Sequence, residues 1–130
     1  MEAKATVKFV RYTPRKVNQV LTLIRNKRVE QAFEILSFLP KSAATLVDKV
    51  LKSAVANAGK LKDYSNLKVK EAWVGGGPTL KRMRPGPQGR GMPVKKRTVH
   101  LTIVVTDAGV APLKNKKEAS AVKTTTTAAK

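Results

Sequence analysis

A run of positive side chains without any acidic neighbour is the feature of this sequence best suited to a chemical role. No Asp or Glu occurs between Glu71 and Asp107, whereas seven Lys or Arg residues do: Lys81, Arg82, Arg84, Arg90, Lys95, Lys96 and Arg97. Guanidinium groups bind phosphate through paired hydrogen bonds and stack on unpaired bases, and ammonium groups bind phosphate as point charges. The segment therefore predicts binding to nucleic acid.

Other chemistries find little support in the sequence. The chain has no cysteine, a single histidine (His100) and eight carboxylates, so a metal site is not expected. The glycines do not match a dinucleotide-binding pattern, because Leu80 stands where Gly75 and Gly77 would require a third glycine. No GxxxxGK[ST] run or nucleophile-elbow motif occurs. We expect no catalytic residue, no metal and no cofactor.

The seven positive residues lie between two predicted strands. Residues 67–74 and 98–106 both alternate, the first with Leu67, Val69, Glu71 and Trp73 on one side. The 23 residues of segment 75–97 form a much longer connection than an ordinary hairpin loop of roughly two to five residues. Folded back on themselves at roughly 3.3 Å per residue, they would place a hairpin tip about 35 Å from the body.

The remaining pattern predicts one more strand and three helices. Residues 5–11 alternate, with Ala5, Val7 and Phe9 on one face. Thr13 offers a hydroxyl N-cap and Pro14 a first-turn proline for a helix that ends near Asn26. Two further amphipathic helices are expected over residues 29–37 and 42–58. We predict an α+β fold, with three helices packed on a small three-stranded antiparallel sheet and a long extended β-hairpin.

Length, composition and charge fit a single basic domain. The 130 residues, 42% of them hydrophobic, predict one globular RNA-binding domain over residues 1–110 that includes a protruding hairpin over residues 75–97. A disordered basic tail is expected over residues 111–130. The formal charge of +19 favours a polyanionic partner, because phosphates relieve self-repulsion and release counterions. No apolar run approaches the roughly 20 residues of a membrane span, so no membrane partner is expected.

Polar residues outside the hairpin are further candidates for RNA contact. They are Arg11, Arg15, Lys16, Lys49, Lys52, Asn57 and His100. For the helical cations an ordinary solvated helix face is an equally good interpretation. Trp73 is expected to pack on the sheet, since the chain lacks the set of aromatic residues typical of single-strand-binding sheets.

Several motifs in fixed order carry a family resemblance. RYTPRKV (residues 11–17) and KVLKSAVANA (residues 49–58) lie on the first and third predicted helices. GPTLKR (residues 77–82) opens the long connection, while GR (residues 89–90) and KKRTVHLTIVV (residues 95–105) close it. Over residues 3–107 these motifs resemble the bacterial-type family of large-subunit ribosomal protein twenty-two. The chain departs from that family's usual pattern at Gly75 and Gly76, and again at Gly86 and Pro87.

The resemblance implies a structural constituent of the large ribosomal subunit that supports early assembly. The implied partners are large-subunit ribosomal RNA, neighbouring large-subunit ribosomal proteins and the nascent peptide. The hairpin would line the peptide exit tunnel near the macrolide site, and the implied location is a cytoplasmic ribosome, with an organellar one left open. The tunnel-lining tip would comprise Lys81, Arg82, Met83, Arg84, Pro85, Gly86, Pro87, Gln88, Gly89 and Arg90.

Two other classes of function stay open from the residues alone. A DNA-architectural protein can use a basic, proline-bearing β-arm to wrap the minor groove, usually as a dimer with two arms. An RNA-modifying enzyme would need a cofactor pocket or a catalytic acid, and neither is evident in the sequence. Preference for structured RNA over duplex DNA discriminates against the first class, and the absence of cofactor-dependent turnover discriminates against the second.

Overall fold

Five strands and three helices follow one another in the computed structural model, which describes residues 2–59 and 64–107. In chain order they are β1 (Glu2–Val10), α1 (Pro14–Ile24), α2 (Val29–Phe38), α3 (Ser42–Asn57), β2 (Leu67–Gly76), β3 (Leu80–Pro85), β4 (Gly91–Lys96) and β5 (Val99–Asp107). A short 3-10 turn, Pro87–Gly89, joins β3 to β4. The tail predicted over residues 111–130 lies outside the described residues.

Two antiparallel sheets divide the five strands. β5 lies between β1 and β2 in a three-stranded sheet, and β3 pairs with β4 in a separate hairpin. Strand alternation places Leu101, Ile103 and Val105 of β5 on one face, where all three are buried. The three helices cover that face, and their contacts reach all three strands. The α+β prediction, with three helices on a small antiparallel sheet and an extended hairpin, is confirmed.

The core forms where the apolar stripes of the helices meet the sheet. Val17, Val20, Leu21 and Ile24 of α1 are fully buried, as is Leu51 of α3. Their spacing of three and four residues brings them to one side of each helix. Burial of each such side chain stabilises the fold by about 1.5–3 kcal/mol relative to exposure. None of the buried core residues lies in the hairpin, so the core of the body forms without it.

The first helix begins where the sequence predicts, although the capping contact differs. Thr13 occupies the N-cap and Pro14 the first turn, but no side-chain hydrogen bond caps the helix, so the prediction that the Thr13 hydroxyl caps it is wrong. Helical structure ends at Ile24, and Asn26 takes the left-handed conformation (φ +61°) expected of a stop residue. The Asn26 amide then donates to the Val69 carbonyl (3.1 Å), which joins the end of α1 to β2.

Two irregularities in strand pairing move aromatic side chains away from the predicted face. Pairing of β1 with β5 shifts between Val7 and Val10, and Phe9 adopts a φ of +57° and is 62% exposed. Pairing of β2 with β5 shifts between Val69 and Glu71, so Ala72 rather than Trp73 is buried. An extra residue in a strand reverses the facing of every residue that follows it. The predictions that Phe9 shares a face with Ala5 and that Trp73 shares the side of Val69 are therefore wrong.

Candidate nucleic-acid interface

The hairpin is a regular two-stranded ribbon closed by a compact tip. Its register runs from the pair Leu80 and Lys96 to the pair Pro85 and Gly91 without a shift. At the tip the Gly86 amide donates to the Arg90 carbonyl at 2.7 Å. A Cβ at Gly86 would lie 2.9 Å from that carbonyl oxygen, so this close turn requires glycine. The departure from the family pattern at Gly86 and Pro87 thus coincides with a tight closure of the ribbon.

Strand alternation gives the ribbon two chemically different faces. One carries Arg82, Arg84 and Lys96 beside Leu80, Met92 and Val94, and the other carries Lys81 and Lys95 beside Met83, Pro85, Gly91 and Pro93. Lys81 and Lys95 are directly opposite each other. Like charges at opposed positions destabilise an isolated ribbon, so an anion between them would stabilise it. One face therefore offers forked donors and the other offers point charges.

Neither face of the ribbon is covered by the protein. All seven positive residues of segment 75–97 are exposed, and within the described residues none forms an ion pair with an acid. Apolar side chains are exposed as well: Met83 is 78% exposed and Met92 51%. A two-stranded hairpin without a packed face is marginally stable in water. The ribbon has the charge and the bare surface of an element that a polyanion covers.

The base of the hairpin is connected to the body by backbone and side-chain contacts. The Gly77 amide donates to the Thr98 carbonyl (2.8 Å), and the Thr98 hydroxyl donates to the Pro78 carbonyl (2.6 Å). His100 Nδ1 accepts from the Phe9 amide at 3.1 Å, and the two rings meet edge-on with centroids 4.8 Å apart. These contacts were not predicted from the sequence. In the sequence, only the adjacent Gly77 and Pro78 indicate that the backbone conformation is restricted there.

The predicted RNA-binding residues of the body fall into two groups. Arg11 lies at the hairpin base, where its guanidinium donates to the Arg97 carbonyl (3.1 Å), and Arg15 and Lys16 are exposed on the first turn of α1. Lys49, Lys52 and Asn57 lie along α3. That helix begins near the hairpin base, where the Tyr12 hydroxyl donates to the Ser42 carbonyl (3.0 Å). The structure thus brings Arg11, Arg15 and Lys16 together near the hairpin base, whereas the three residues of α3 are spread along that helix.

Some of the predicted contact atoms are already engaged within the protein. Lys52 Nζ lies 2.8 Å from the Asp48 carboxylate, and the Asn57 side-chain amide donates to the Lys4 carbonyl (3.0 Å) at the far end of α3. His100 uses Nδ1 for Phe9. Lys49 is exposed without such a contact among the described residues, which makes it the more available cation of that helix.

The outer face of the three-stranded sheet carries an exposed aromatic residue beside a cation. Trp73 is 41% exposed there, and Lys4 Nζ lies 5.6 Å from its ring centroid. Lys70 donates to the Glu2 carboxylate, and this hydrogen bond together with the opposite charge lowers the pKa of Glu2 and raises the pKa of Lys70. An exposed aromatic ring beside a cation is suited to base stacking, a role that the sequence interpretation did not favour.

The described part of the chain holds no group of three or more His, Asp or Glu residues placed to bind a metal. An open groove of about 710 Å³ between α2 and α3 is lined mainly by apolar side chains, including Phe33, Leu36 and Val55. Its one acid, Asp48, is paired with Lys52. No described helix is both long and apolar enough to cross a membrane.

Comparison with known proteins places this architecture among ribosomal proteins. The family described as "Ribosomal protein L22p/L17e" matches residues 5–106. A protein of Endomicrobium trichonymphae named "Large ribosomal subunit protein uL22" is 80% identical over 108 residues, which cover 83% of this chain and 94% of that relative. Proteins of the same name from Clostridium acetobutylicum and Clostridium novyi are each 54% identical over 107 residues (81% of this chain, 96% of each relative). The matched region contains the complete hairpin.

Proposed function

We propose, since the chain belongs to the ribosomal protein L22p/L17e family and is a structural constituent of the large ribosomal subunit, that its hairpin enters the subunit along ribosomal RNA and lines the peptide exit tunnel. The body then lies on the RNA at the base of the hairpin and supports early assembly. Membership in this family makes the chain a structural protein rather than an enzyme.

One observation carries the proposal. The hairpin presents seven exposed cations and no acid, and it has no packed face of its own. An element of this kind gains stability only against a surface that supplies both negative charge and burial. Folded RNA supplies both, because phosphates line its grooves and unpaired bases offer flat apolar surfaces.

The two faces of the hairpin suggest different partners within the subunit. Arg82 and Arg84 lie on one face, and their planar guanidinium groups can bind a phosphate through two hydrogen bonds and stack on bases. We therefore assign that face to ribosomal RNA. The other face combines Lys81 with the exposed Met83 and with Pro93. A flexible thioether surface suits many different peptide side chains. We assign that face, near the tip, to the tunnel lumen and the nascent peptide.

The body would add RNA contacts mainly around the hairpin base. Arg11, Arg15 and Lys16 are exposed there and continue the positive surface of the hairpin. Lys49 extends it along α3, whereas Lys52 and Asn57 would first have to exchange their internal contacts. His100 would contribute through the junction contact to Phe9 more than through direct RNA contact.

Salt-resistant association with the large subunit is the first test. Cell extract is separated on sucrose gradients at low salt and after a high-salt wash, and the position of the protein is recorded. We expect it to stay with large subunits in both, because a contact held only by exposed charges weakens steeply with salt. Release into light fractions, or migration with chromosomal DNA, would contradict the proposal.

Cross-linking tests the assignment of the tunnel-facing side. A photoreactive amino acid replaces Met83 in one variant and the exposed Lys27 of the body in a matched control. In ribosomes stalled with a labelled nascent chain, the Met83 variant should cross-link to that chain and the Lys27 variant should not. The same position should lose its cross-link when a macrolide stops elongation before the chain reaches it. Equal labelling by both variants would refute the assignment.

A further inference from the structure

The two backbone segments between the body sheet and the hairpin differ in length. The last pair of the body sheet is Gly76 with Val99, and the first pair of the hairpin is Leu80 with Lys96. Three residues, 77–79, therefore face only two, Arg97 and Thr98. An extra residue on one side of a ladder bends and twists the ribbon at that point. The direction of the whole hairpin is decided within these five residues.

Hydrogen bonds and close packing restrict the bend at this junction. The Gly77 amide and the Thr98 carbonyl are 2.8 Å apart, and the Thr98 hydroxyl, which is on a buried residue, reaches the Pro78 carbonyl. A Cβ at Gly77 would lie 2.5 Å from Thr98 Oγ1 and 3.2 Å from His100 Nε2. Only glycine allows this approach, and the ring of Pro78 restricts the next φ angle.

Strand β1 and the residue after it also contact this junction. Phe9 keeps a left-handed backbone, which is unfavourable for an aromatic residue, while its amide donates to His100 Nδ1 and its ring packs against that imidazole. Arg11 adds a hydrogen bond to the Arg97 carbonyl. A strained residue persists only where its surroundings over-determine it, and such strain is typical of positions with a functional constraint.

We propose that Gly77, Thr98 and His100 form a positioning junction that sets the angle between hairpin and body, so that body and tip reach separate binding sites at once. Its consequence for assembly rests on the function proposed above, whereas the angle itself is a property of the free protein. From Gly77 to Pro87 the extended chain spans about 33 Å, so a rotation of about 15° at the junction would displace the tip by roughly 9 Å. A displacement of that size separates the tip from any site built to receive it.

Spin labels can measure this angle, because the chain has no native cysteine to interfere. Nitroxides are attached to Thr22→Cys on α1 and Arg90→Cys at the tip, and their distance distribution is recorded by pulsed electron resonance. In a Gly77→Ala background we expect the mean distance to shift, or the distribution to widen, by several ångströms. A Gly76→Ala background is the matched control, because a Cβ there meets nothing within 4 Å, and it should leave the distribution unchanged.

A double-variant comparison tests the stated cause. Thr98→Ala removes the hydroxyl that both clashes with the new Cβ and holds Pro78. We expect Thr98→Ala alone to widen the distribution and Gly77→Ala to add little to it. Circular dichroism and the melting temperature of each variant check that the body stays folded. Unchanged distances in Gly77→Ala and Thr98→Ala, with the body intact, would overturn the proposal, as would equal shifts in Gly76→Ala and Gly77→Ala.

Assembly links the angle to function with a separate readout. Untagged Gly77→Ala and Gly76→Ala chains compete with the unmodified chain for incorporation into large subunits, and their ratios are measured by mass spectrometry. We expect at least a fivefold under-representation of Gly77→Ala only. Equal incorporation despite an altered angle would overturn the positioning role and leave the proposed function standing. Failure of the unmodified chain to enter large subunits would refute the proposed function itself, while the distance measurements would still decide the angle.

Discussion

Removal of three guanidinium groups from the hairpin should weaken RNA binding in a way that depends on salt. The variant Arg82→Gln, Arg84→Gln and Arg90→Gln changes only exposed side chains, and none of the three forms an ion pair among the described residues. Folding should therefore be unaffected. In the structure the one hydrogen bond given up is a local contact from Arg82 to the Lys81 carbonyl (2.9 Å).

The expected magnitude follows from counterion release. Each phosphate contact contributes roughly 0.7 to the slope of log Kobs against log salt for single strands, and roughly 0.9 for duplex. Three lost contacts should reduce the slope by about 2.1 to 2.7. Extrapolated from 1 M salt, where this contribution vanishes, the smaller value corresponds to about 50-fold weaker binding at about 0.15 M salt.

Filter binding to transcribed large-subunit ribosomal RNA, at a series of salt concentrations, measures both quantities. The control variant Lys8→Gln, Lys27→Gln and Lys68→Gln lowers the formal charge of +19 by the same three units, but at exposed or half-buried positions of the body outside the proposed interface. We expect its slope to change by less than one. Equal losses in the two variants would show that binding follows net charge alone, and the assignment of the hairpin as the RNA-binding element would then be wrong.

Further perturbations test the core, the surface ion pair and the tip. Leu101→Ala, at a fully buried position of β5, should lower the free energy of unfolding by about 2–5 kcal/mol in denaturant titrations. Glu2 should titrate below its ordinary pKa of 4.5, and Lys70→Met should return it toward that value by NMR. Because the folded pKa of Glu2 is lowered and that of Lys70 is raised, any stabilisation by this exposed pair is fully present between their ordinary pKa values of 4.5 and 10.5, and it is lost as the pH falls through the pKa of Glu2 or rises through the pKa of Lys70. Deletion of residues 81–83 should leave the melting temperature of the body within a few degrees while it changes macrolide protection of the tunnel in RNA footprinting; loss of the body fold would contradict this.

Helices and the order of elements were predictable because their signals are local. The apolar stripe of α1 can be read from Val17, Val20, Leu21 and Ile24 without reference to any other part of the chain, and all four are buried. The predicted helix ends differ from the observed ones by one or two residues. Thr13 makes no side-chain hydrogen bond to the end of α1, although its residue type suits an N-cap. Local sequence signals therefore predict where a helix begins but not the side-chain rotamer that a capping hydrogen bond needs.

Strand facing was predictable only as far as the strand stayed regular. Phe9 and Trp73 both follow an irregular pair with β5, which lies far away in sequence. One extra residue on either strand reverses the side of the sheet that all later residues face. Nothing in residues 5–11 or 67–74 alone signals where β5 will force that shift. The contact between the exposed Trp73 and Lys4 could therefore be identified only from the folded structure.

Consecutive residues alone specify the kind of surface that this protein offers. A stretch of 23 residues (75–97) with seven cations and no acid, between two alternating segments, predicts a basic hairpin, since charge and periodicity are properties of consecutive residues. Which cations share a face, which of them contact other parts of the protein, and the direction of the hairpin all depend on long-range contacts in the folded chain. The junction proposed to set that direction joins Gly77, Thr98, His100 and Phe9, which are far apart in the sequence. Their hydrogen bonds need atoms about 3 Å apart, so they form only after the sheet has brought these residues together.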